Sequence, residues 1–336
     1  MVPIETPLVS FVVPCFNYGR YLPDCLAGIF SQEGGHNYEV IAIDDGSTDN
    51  TPDVLRHFAD ARLRVLTHAV NQGHIATINA GLSAARGTFI ARIDPDDRYR
   101  PYFLSTVLEK FARFPEVGLI YGNAALIDES GVITAQRSDR VHGGRDCKGN
   151  EFLRLLADNF ICAPTVIARR QAWQAALPAP AGLAFNDWYF TLMIARQWEF
   201  YYIDRVLADY RVHAMNHHTQ IVKNRSEEGS IFELLDRLYG QKEKDPKLER
   251  QKQKGRRRIY GVHYLAQANK YFGFHMDREA SRCYLQAARH DPICLLHGEN
   301  IRHWAATLIG RKGYEFLKSL ARLRLRSTKR RCNNRG

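Results

Sequence analysis

Short, almost wholly apolar runs alternate with longer amphipathic stretches through the first third of the chain. Leu8 to Val13, Tyr38 to Ile43, Leu63 to Leu66, Thr88 to Ile93 and Val117 to Tyr121 read as strands. Between them, Tyr21 to Phe30, Ile75 to Ala85 and Pro101 to Phe114 place apolar residues at helical spacing. Thr51-Pro52 marks a further helix start, with proline at its first position and threonine as its cap. Strands that alternate with helices imply right-handed crossovers and a parallel sheet covered on both faces. The pattern therefore predicts an α/β fold, a Rossmann-like, doubly wound and mostly parallel sheet.

Beyond this the signal changes. Asp128 to Asn150 is polar and rich in glycine and arginine, as a loop or irregular hairpin is. Glu151 to Asn159 reads as helix, and Thr165 to Ala168 and Tyr201 to Ile203 as extended. After about Asn224 the remainder reads as helix, which sets two domains, 1–224 and 225–336, the first with halves meeting near residue 125. Gln241 to Arg258 is so charged that it reads as an exposed helix or linker. Tyr264, Tyr271, Ala280, Tyr284, Ala287 and Pro292 match the spacing of one tetratricopeptide-like hairpin over about 259–292, with Gln267 where leucine is usual. One copy makes no array, so an ordinary helical hairpin explains the same spacing. Ile301 to Leu325 is amphipathic and suits a membrane surface or a helix covering the protein's own core.

The 336 residues carry a net charge of +11, concentrated towards the C-terminus in Arg256-Arg257-Arg258 and in Arg322, Arg324, Arg326, Lys329, Arg330 and Arg331. Such a tail suits peripheral contact with an anionic membrane, a polyanion, or solvent alone. No aromatics interleave with it at a groove, so nucleic-acid binding is not expected. The seven cysteines are scattered without a C-x-x-C pair, which argues against a disulfide framework or zinc site and suits a reducing compartment. With no signal peptide and no run long enough to span a bilayer, a cytoplasmic protein is expected, peripheral at most to the inner membrane face.

Three predicted strands end in chemistry-bearing loops: Pro14-Cys15-Phe16-Asn17, Asp44-Asp45-Gly46-Ser47-Thr48-Asp49 and Asp94-Pro95-Asp96-Asp97. Ligands of open α/β sheets bind outside the carboxyl ends of the strands. Three crowded carboxylates there repel one another, so either a divalent cation neutralises them or they form a solvated acidic turn. An aromatic ring beside a carboxylate suits a nucleobase. G-x-x-x-x-G-K-[ST] is absent and no G-x-G-x-x-G follows the first strand, so neither a P-loop nor a dinucleotide fingerprint is present.

These motifs, with Val40 to Asp49, Asn71-Gln72-Gly73, Asn79-Ala80-Gly81-Leu82 and Ala84 to Ile90, closely resemble the family 2 glycosyltransferases, inverting enzymes with the A-type nucleotide-sugar fold. The resemblance covers about the first hundred residues strongly and extends more weakly to about 218. It implies a nucleoside-diphosphate sugar as donor, a UDP-sugar favoured, and Mn²⁺ or Mg²⁺ as cofactor. By the same resemblance Pro14, Phe16, Asn17, Asp45 and Gly73 would form the nucleotide pocket, with Asp45 taking the base N–H. Asp94 would meet the ribose or the metal, Asp96 would ligate the metal, and Asp97 would support the loop.

Inversion is a single displacement and needs one base for the acceptor hydroxyl. In Phe185-Asn186-Asp187-Trp188-Tyr189 the matching carboxylate is Asp187, with Asn186 where the family commonly has glutamate; a plain helix cap is the other reading of Asp187. Trp188 or Tyr189 would stack on a sugar. Tyr210-Arg211-Val212-His213 resembles the family's Arg-x-His segment, so Arg211 would clamp diphosphate oxygens and His213 would join the metal site. His217 and His218 follow and would close over bound donor. The processive Q-x-x-R-W motif is absent, which favours transfer of one sugar. The expected acceptor is a saccharide or lipid-linked saccharide of a bacterial surface polysaccharide or glycolipid pathway. A sugar-phosphate nucleotidyltransferase would need a Gly-rich basic loop after the first strand. A non-catalytic nucleotide-sugar scaffold that recruits a partner through the C-terminal helices is the alternative outside enzymes, and the intact carboxylates weigh against it.

Overall fold

A computed structural model describes residues 6–58, 60–136, 139, 141–213, 217–296, 298–310 and 312–315. The chain divides into two compact units, Met1–Asn216 and His217–Gly336. The sequence had placed the division at 224/225. The short helix His217–Lys223 falls on the C-terminal side, where it packs against the helices that follow it.

The first unit is built on one ten-stranded sheet. Its strands are β1 (Val9–Cys15), β2 (Tyr38–Asp44), β3 (Leu63–Thr67), β4 (Phe89–Arg92), β5 (Arg98–Tyr99), β6 (Val117–Ile127), β7 (Ile133–Ala135), β8 (Cys147–Gly149), β9 (Ile167–Arg169) and β10 (Glu199–Arg211). The main order is β3-β2-β1-β4-β9-β6-β10-β5. β1, β2 and β4 are buried throughout, as strands covered on both faces must be.

From β3 to β4 all pairings are parallel, as the alternating pattern predicts. β9 then enters antiparallel between β4 and β6, so the sheet is mixed there. The polar 128–150 segment supplies two short edge strands, β7 and β8, rather than loop alone. Tyr201–Ile203 lies near the start of a thirteen-residue strand, whose register to β6 shifts along its length.

Several motif residues serve packing. A side chain at Gly81 would meet Val12 Cγ1 at 2.5 Å and Ile43 Cδ1 at 2.6 Å, so glycine lets the helix His74–Ala84 lie directly on β1 and β2. Ser10 Oγ donates to Glu39 at 2.7 Å and accepts from Gly87 N–H at 2.8 Å, while Arg86 pairs with Glu39. The helix starts one residue earlier than expected: Asn50 holds the capping position, Thr51 is the first helical residue and Pro52 the second. Thr51 instead accepts from Tyr18 N–H at 3.0 Å, tying the β1 loop to the β2 loop.

The second unit is helical: His217–Lys223, Ser226–Gly240, Pro246–Gly273, Asp277–His290 and Gly298–Ile309. Ala268, Tyr271, Ala280, Tyr284 and Ala287 pack its core, as the hairpin spacing implies. Gln241–Arg258 is only partly exposed, because Lys252 is buried among carboxylates and carbonyls. No helix of the described residues is long and apolar enough to cross a membrane.

Candidate active site

Register aligns Cys15 with Asp44 and Val12 with Arg92, so β1, β2 and β4 deliver their loops to one edge. Pro14 is buried near the end of β1, and Phe16, just past it, is 40% exposed. Asn17 adopts φ 59° and its side-chain oxygen accepts from Thr48 N–H at 2.8 Å. That acceptor clasps the β2 loop.

Asp44 caps the turn by accepting from Ser47 N–H at 3.0 Å, and Asp49 accepts from Thr51 and Gly19 N–H at 2.9 and 3.0 Å. Asp45 is 2% exposed. It accepts from His68 Nδ1 at 2.6 Å, Gln72 N–H at 2.9 Å and Gly73 N–H at 3.0 Å. Burial opposes its ionisation, yet these donors hold its pKa below the usual aspartate range. Gly73, at φ 91°, turns the chain into the helix His74–Ala84.

The acidic cluster is more crowded. Asp96 is 6% exposed and Asp97 1%. Asp96 Oδ2 lies 3.0 Å from His213 Nε2. Asp97 Oδ1 accepts from Arg211 N–H at 2.8 Å, whereas its Oδ2 and Asp94 Oδ1 are buried without a hydrogen-bond partner. Burial, then the charge of Asp94, raises the Asp96 pKa against the His213 contact. Burial, then Asp96 and Asp94, raises that of Asp97 well above its ordinary value. Unsatisfied buried carboxylate oxygens are costly, and they mark where a cationic or hydrogen-bonding ligand would be stabilised.

Arg211 is placed differently from the diphosphate clamp expected of it. It is 1% exposed, and its guanidinium donates to the carbonyls of Asp96 at 2.7 Å, Asp128 at 3.1 Å and Glu129 at 3.2 Å, and to Asp24 at 3.2 Å. A cation buried this deeply spends its donors internally. It therefore holds the acidic loop in place. His213 stays beside Asp96 and packs on Tyr21, ring centres 5.1 Å apart. The side chains of His217 and His218 lie outside the described residues.

Asp187 is the first residue of the helix Asp187–Ala195 and is half-buried; Asn159 donates to its Oδ2 at 3.0 Å. Trp188 and Tyr189 do not face a sugar as expected. Both are buried, with Trp188 donating to Leu155 O at 2.7 Å and Tyr189 to Ala176 O at 3.1 Å. The departure at Asn186 has a structural counterpart. Its side-chain oxygen accepts from Arg92 Nη1 at 2.7 Å, and Arg92 Nη2 donates to Asp94 at 3.0 Å. Arg92 thus links the acidic cluster to the start of the Asp187 helix.

Sequence reasoning missed Arg92, His68 and Asn159. Arg92 is an arginine inside an apolar strand two residues before the acidic cluster, which was a usable signal. His68 and Asn159 carried none. His74 is a further residue at the site, its Nε2 4.0 Å from Asp94 Oδ1.

Residues 10–174 match the family described as "Glycosyl transferase family 2". Glycosyltransferase GlyG of Streptococcus pneumoniae is 37% identical over 126 residues, 37% of this chain and 41% of that protein's length. Two solved structures share the fold. Staphylococcus aureus TarS 1-349 in complex with UDP-GlcNAc has a TM-score of 0.56 at 18% identity, covering 89% of this chain and 79% of that one. Mannosyltransferase PcManGT from Pyrobaculum calidifontis, in complex with GDP-Man and Mn²⁺, has a TM-score of 0.57 at 15% identity, covering 94% and 84%.

Proposed function

We propose that the chain is a divalent-metal-dependent, inverting glycosyltransferase that moves a single sugar from a nucleoside-diphosphate donor, a UDP-sugar favoured, to a hydroxyl acceptor. The acceptor fitting this reading is a saccharide or lipid-linked saccharide of a bacterial surface polysaccharide or glycolipid pathway, met in the cytoplasm at the inner membrane face. The observation that carries it is the pair of buried oxygens without a hydrogen-bond partner on Asp94 and Asp97 beside Asp96, at the edge where Phe16 and Asp45 also arrive.

Among the described residues no group of three or more His, Cys, Asp and Glu is arranged to hold a metal alone. That fits a cation of the Mg²⁺ or Mn²⁺ type, which one or two carboxylates bind together with the substrate's phosphates. Asp94 and Asp96 would hold it, with His213 as the nitrogen neighbour. When bound, it would offset the charge that builds on the departing nucleoside diphosphate.

The chain's own residues would do the rest. Phe16 would wall the base, and Asp45, held by His68 and by the Gln72 and Gly73 N–H groups, would face one N–H of the base. Asp187 would take the proton of the attacking hydroxyl, oriented by Asn159. Arg92, through Asn186 and Asp94, would keep donor loop and base in register.

The test is a screen of nucleotide sugars for Mn²⁺-dependent binding and hydrolysis, repeated on Asp187→Ala. This variant is expected to bind donor as the parent does and to lose transfer by at least about a thousandfold. Full transfer by Asp187→Ala would remove it as base. Failure of every nucleotide sugar to bind would remove the donor site itself, while donor binding without any transfer would favour the non-catalytic scaffold.

A further inference from the structure

The C-terminal unit carries a surface that the transfer reaction does not use. On the helix Pro246–Gly273, Lys247, Arg250, Lys254, Arg257 and Arg258 are all exposed. At 3.6 residues per turn they fall within an arc of about 100°. Glu249, the one acidic residue between Pro246 and Arg258, lies outside that arc and is bound to Lys252 at 2.9 Å. The stripe is therefore cationic without interruption along its length.

Its far end meets apolar surface. Arg257 donates to Arg289 O at 3.3 Å, and Cys294 Sγ reaches Gly261 O, one turn beyond Arg257, at 3.9 Å. The turn so anchored exposes Ile293 at 70% and Leu296 at 71%. The helix Gly298–Ile309 follows. Trp304 and Ala306 pack its inner face into the unit's core, while Ile301, Leu308 and Ile309 are half or more exposed. The part of the amphipathic segment beyond residue 315 lies outside the described residues.

We propose that this combined surface, basic stripe and apolar turn, docks the C-terminal unit on an anionic lipid bilayer. Lys and Arg beside exposed Ile and Leu is the composition that lies in a charged headgroup layer with aliphatic side chains reaching the acyl boundary. A single-stranded nucleic acid needs stacking aromatics, and the stripe has none. Protein interfaces are depleted of lysine and enriched in aromatics, which this surface reverses. The proposal deepens the membrane-face reading above, yet it needs neither donor nor acceptor. Failure of one leaves the other standing.

The experiment is co-sedimentation of the full chain with phosphatidylcholine vesicles and with vesicles containing phosphatidylglycerol. The parent is expected to pellet with the anionic vesicles only, less so as salt rises. The triple change Lys247→Ala, Arg250→Ala, Lys254→Ala should lower partitioning by about a hundredfold at an unchanged melting temperature. The pair Ile293→Ser, Leu296→Ser should lower it more modestly and leave a steeper salt dependence. A tail variant, Arg324→Gln, Arg330→Gln, Arg331→Gln, should retain the greater part of the binding. Equal partitioning of stripe variant and parent overturns the proposal, as does binding that only the tail change abolishes. A parent that pellets with neither vesicle, or one whose stripe retains nucleic acid instead, overturns it too.

Discussion

Each unit buries a knot of charge, and the two knots are built on opposite terms. In the C-terminal unit Lys252, 1% exposed, donates to the carbonyls of Leu238 and Gln241 at 3.0 and 2.5 Å and pairs with Glu243 and Glu249 at 2.7 and 2.9 Å. Its cation is surrounded by acceptors. In the first unit Asp94, Asp96 and Asp97 crowd together, with Arg92 and His213 as flanking partners, and two oxygens go without a hydrogen bond. A satisfied buried ion cluster fixes local structure, whereas one left short is a standing cost that a ligand would relieve. On these grounds the Lys252 knot is a structural centre and the acidic cluster is the candidate binding one.

Breaking each knot should therefore have opposite consequences. The largest effect is expected from Asp96→Asn. Mn²⁺-dependent donor binding, followed by calorimetry, should fall by at least about a hundredfold, while the melting temperature holds or rises because one mutually repelling carboxylate is gone. A fall in melting temperature with binding intact would show that the cluster is structural like its counterpart.

Next, Lys252→Met should cost the C-terminal unit about 3–5 kcal/mol in denaturant unfolding, since it leaves Glu243 buried without its cation. Donor affinity should stay at the parent level. Arg92→Lys is a subtler probe, because one ammonium does not reproduce two divergent guanidinium contacts. Here kcat should drop about ten- to a hundredfold with a smaller change in donor KM, as expected of a residue that positions others. An equal loss in donor affinity would place Arg92 at the donor itself.

The smallest effect is a divergence in pH dependence. Glu249, held by the Glu243 N–H and then by Lys252, sits at about 2 against an ordinary 4.5. Its folded value is depressed, so its stabilisation is present above about 4.5 and is lost as pH falls towards 2. Asp96 and Asp97 are raised above 3.8 by burial and by neighbouring charge. Their contribution has the reverse sign: present below 3.8, it is lost as pH rises through their folded values. Hydrogen exchange in the metal-free protein should show amides of the Asp94–Asp97 loop gaining protection as pH falls through the raised values, while amides around Glu243 and Glu249 lose it only below about 4.5. Parallel slopes would contradict the contrast.

Much of the candidate site's carboxylate-bearing edge was legible beforehand because strand ends are local events. A buried apolar run followed by Asp94-Pro95-Asp96-Asp97 announces both a strand and the carboxylates beyond it. The part that failed was long-range. Arg211 and His213 stood two residues apart and were both assigned to the ligand, Arg211 to the diphosphate and His213 to the metal, yet Arg211 is buried against three carbonyls and His213 meets Asp96. Lys252 lay inside a run so charged that nothing local distinguished the one buried lysine. β9 has three residues, too few to state which strands it would separate.

The sequence by itself determined the alternating strands and helices, the loops that carry carboxylates, and the resemblance to family 2 glycosyltransferases. All of these rest on short-range apolar patterning and contiguous motifs. Only the tertiary structure decided which charges are spent and which are left over. Asp45 already holds three donors, Arg211 is wholly engaged within the fold, and the Asp94–Asp97 cluster keeps oxygens without a hydrogen-bond partner. That outcome depends on hydrogen-bond partners up to more than a hundred residues away, such as Asp96 and His213. Such pairings are set by the packing of the sheet, and no local stretch of sequence encodes them.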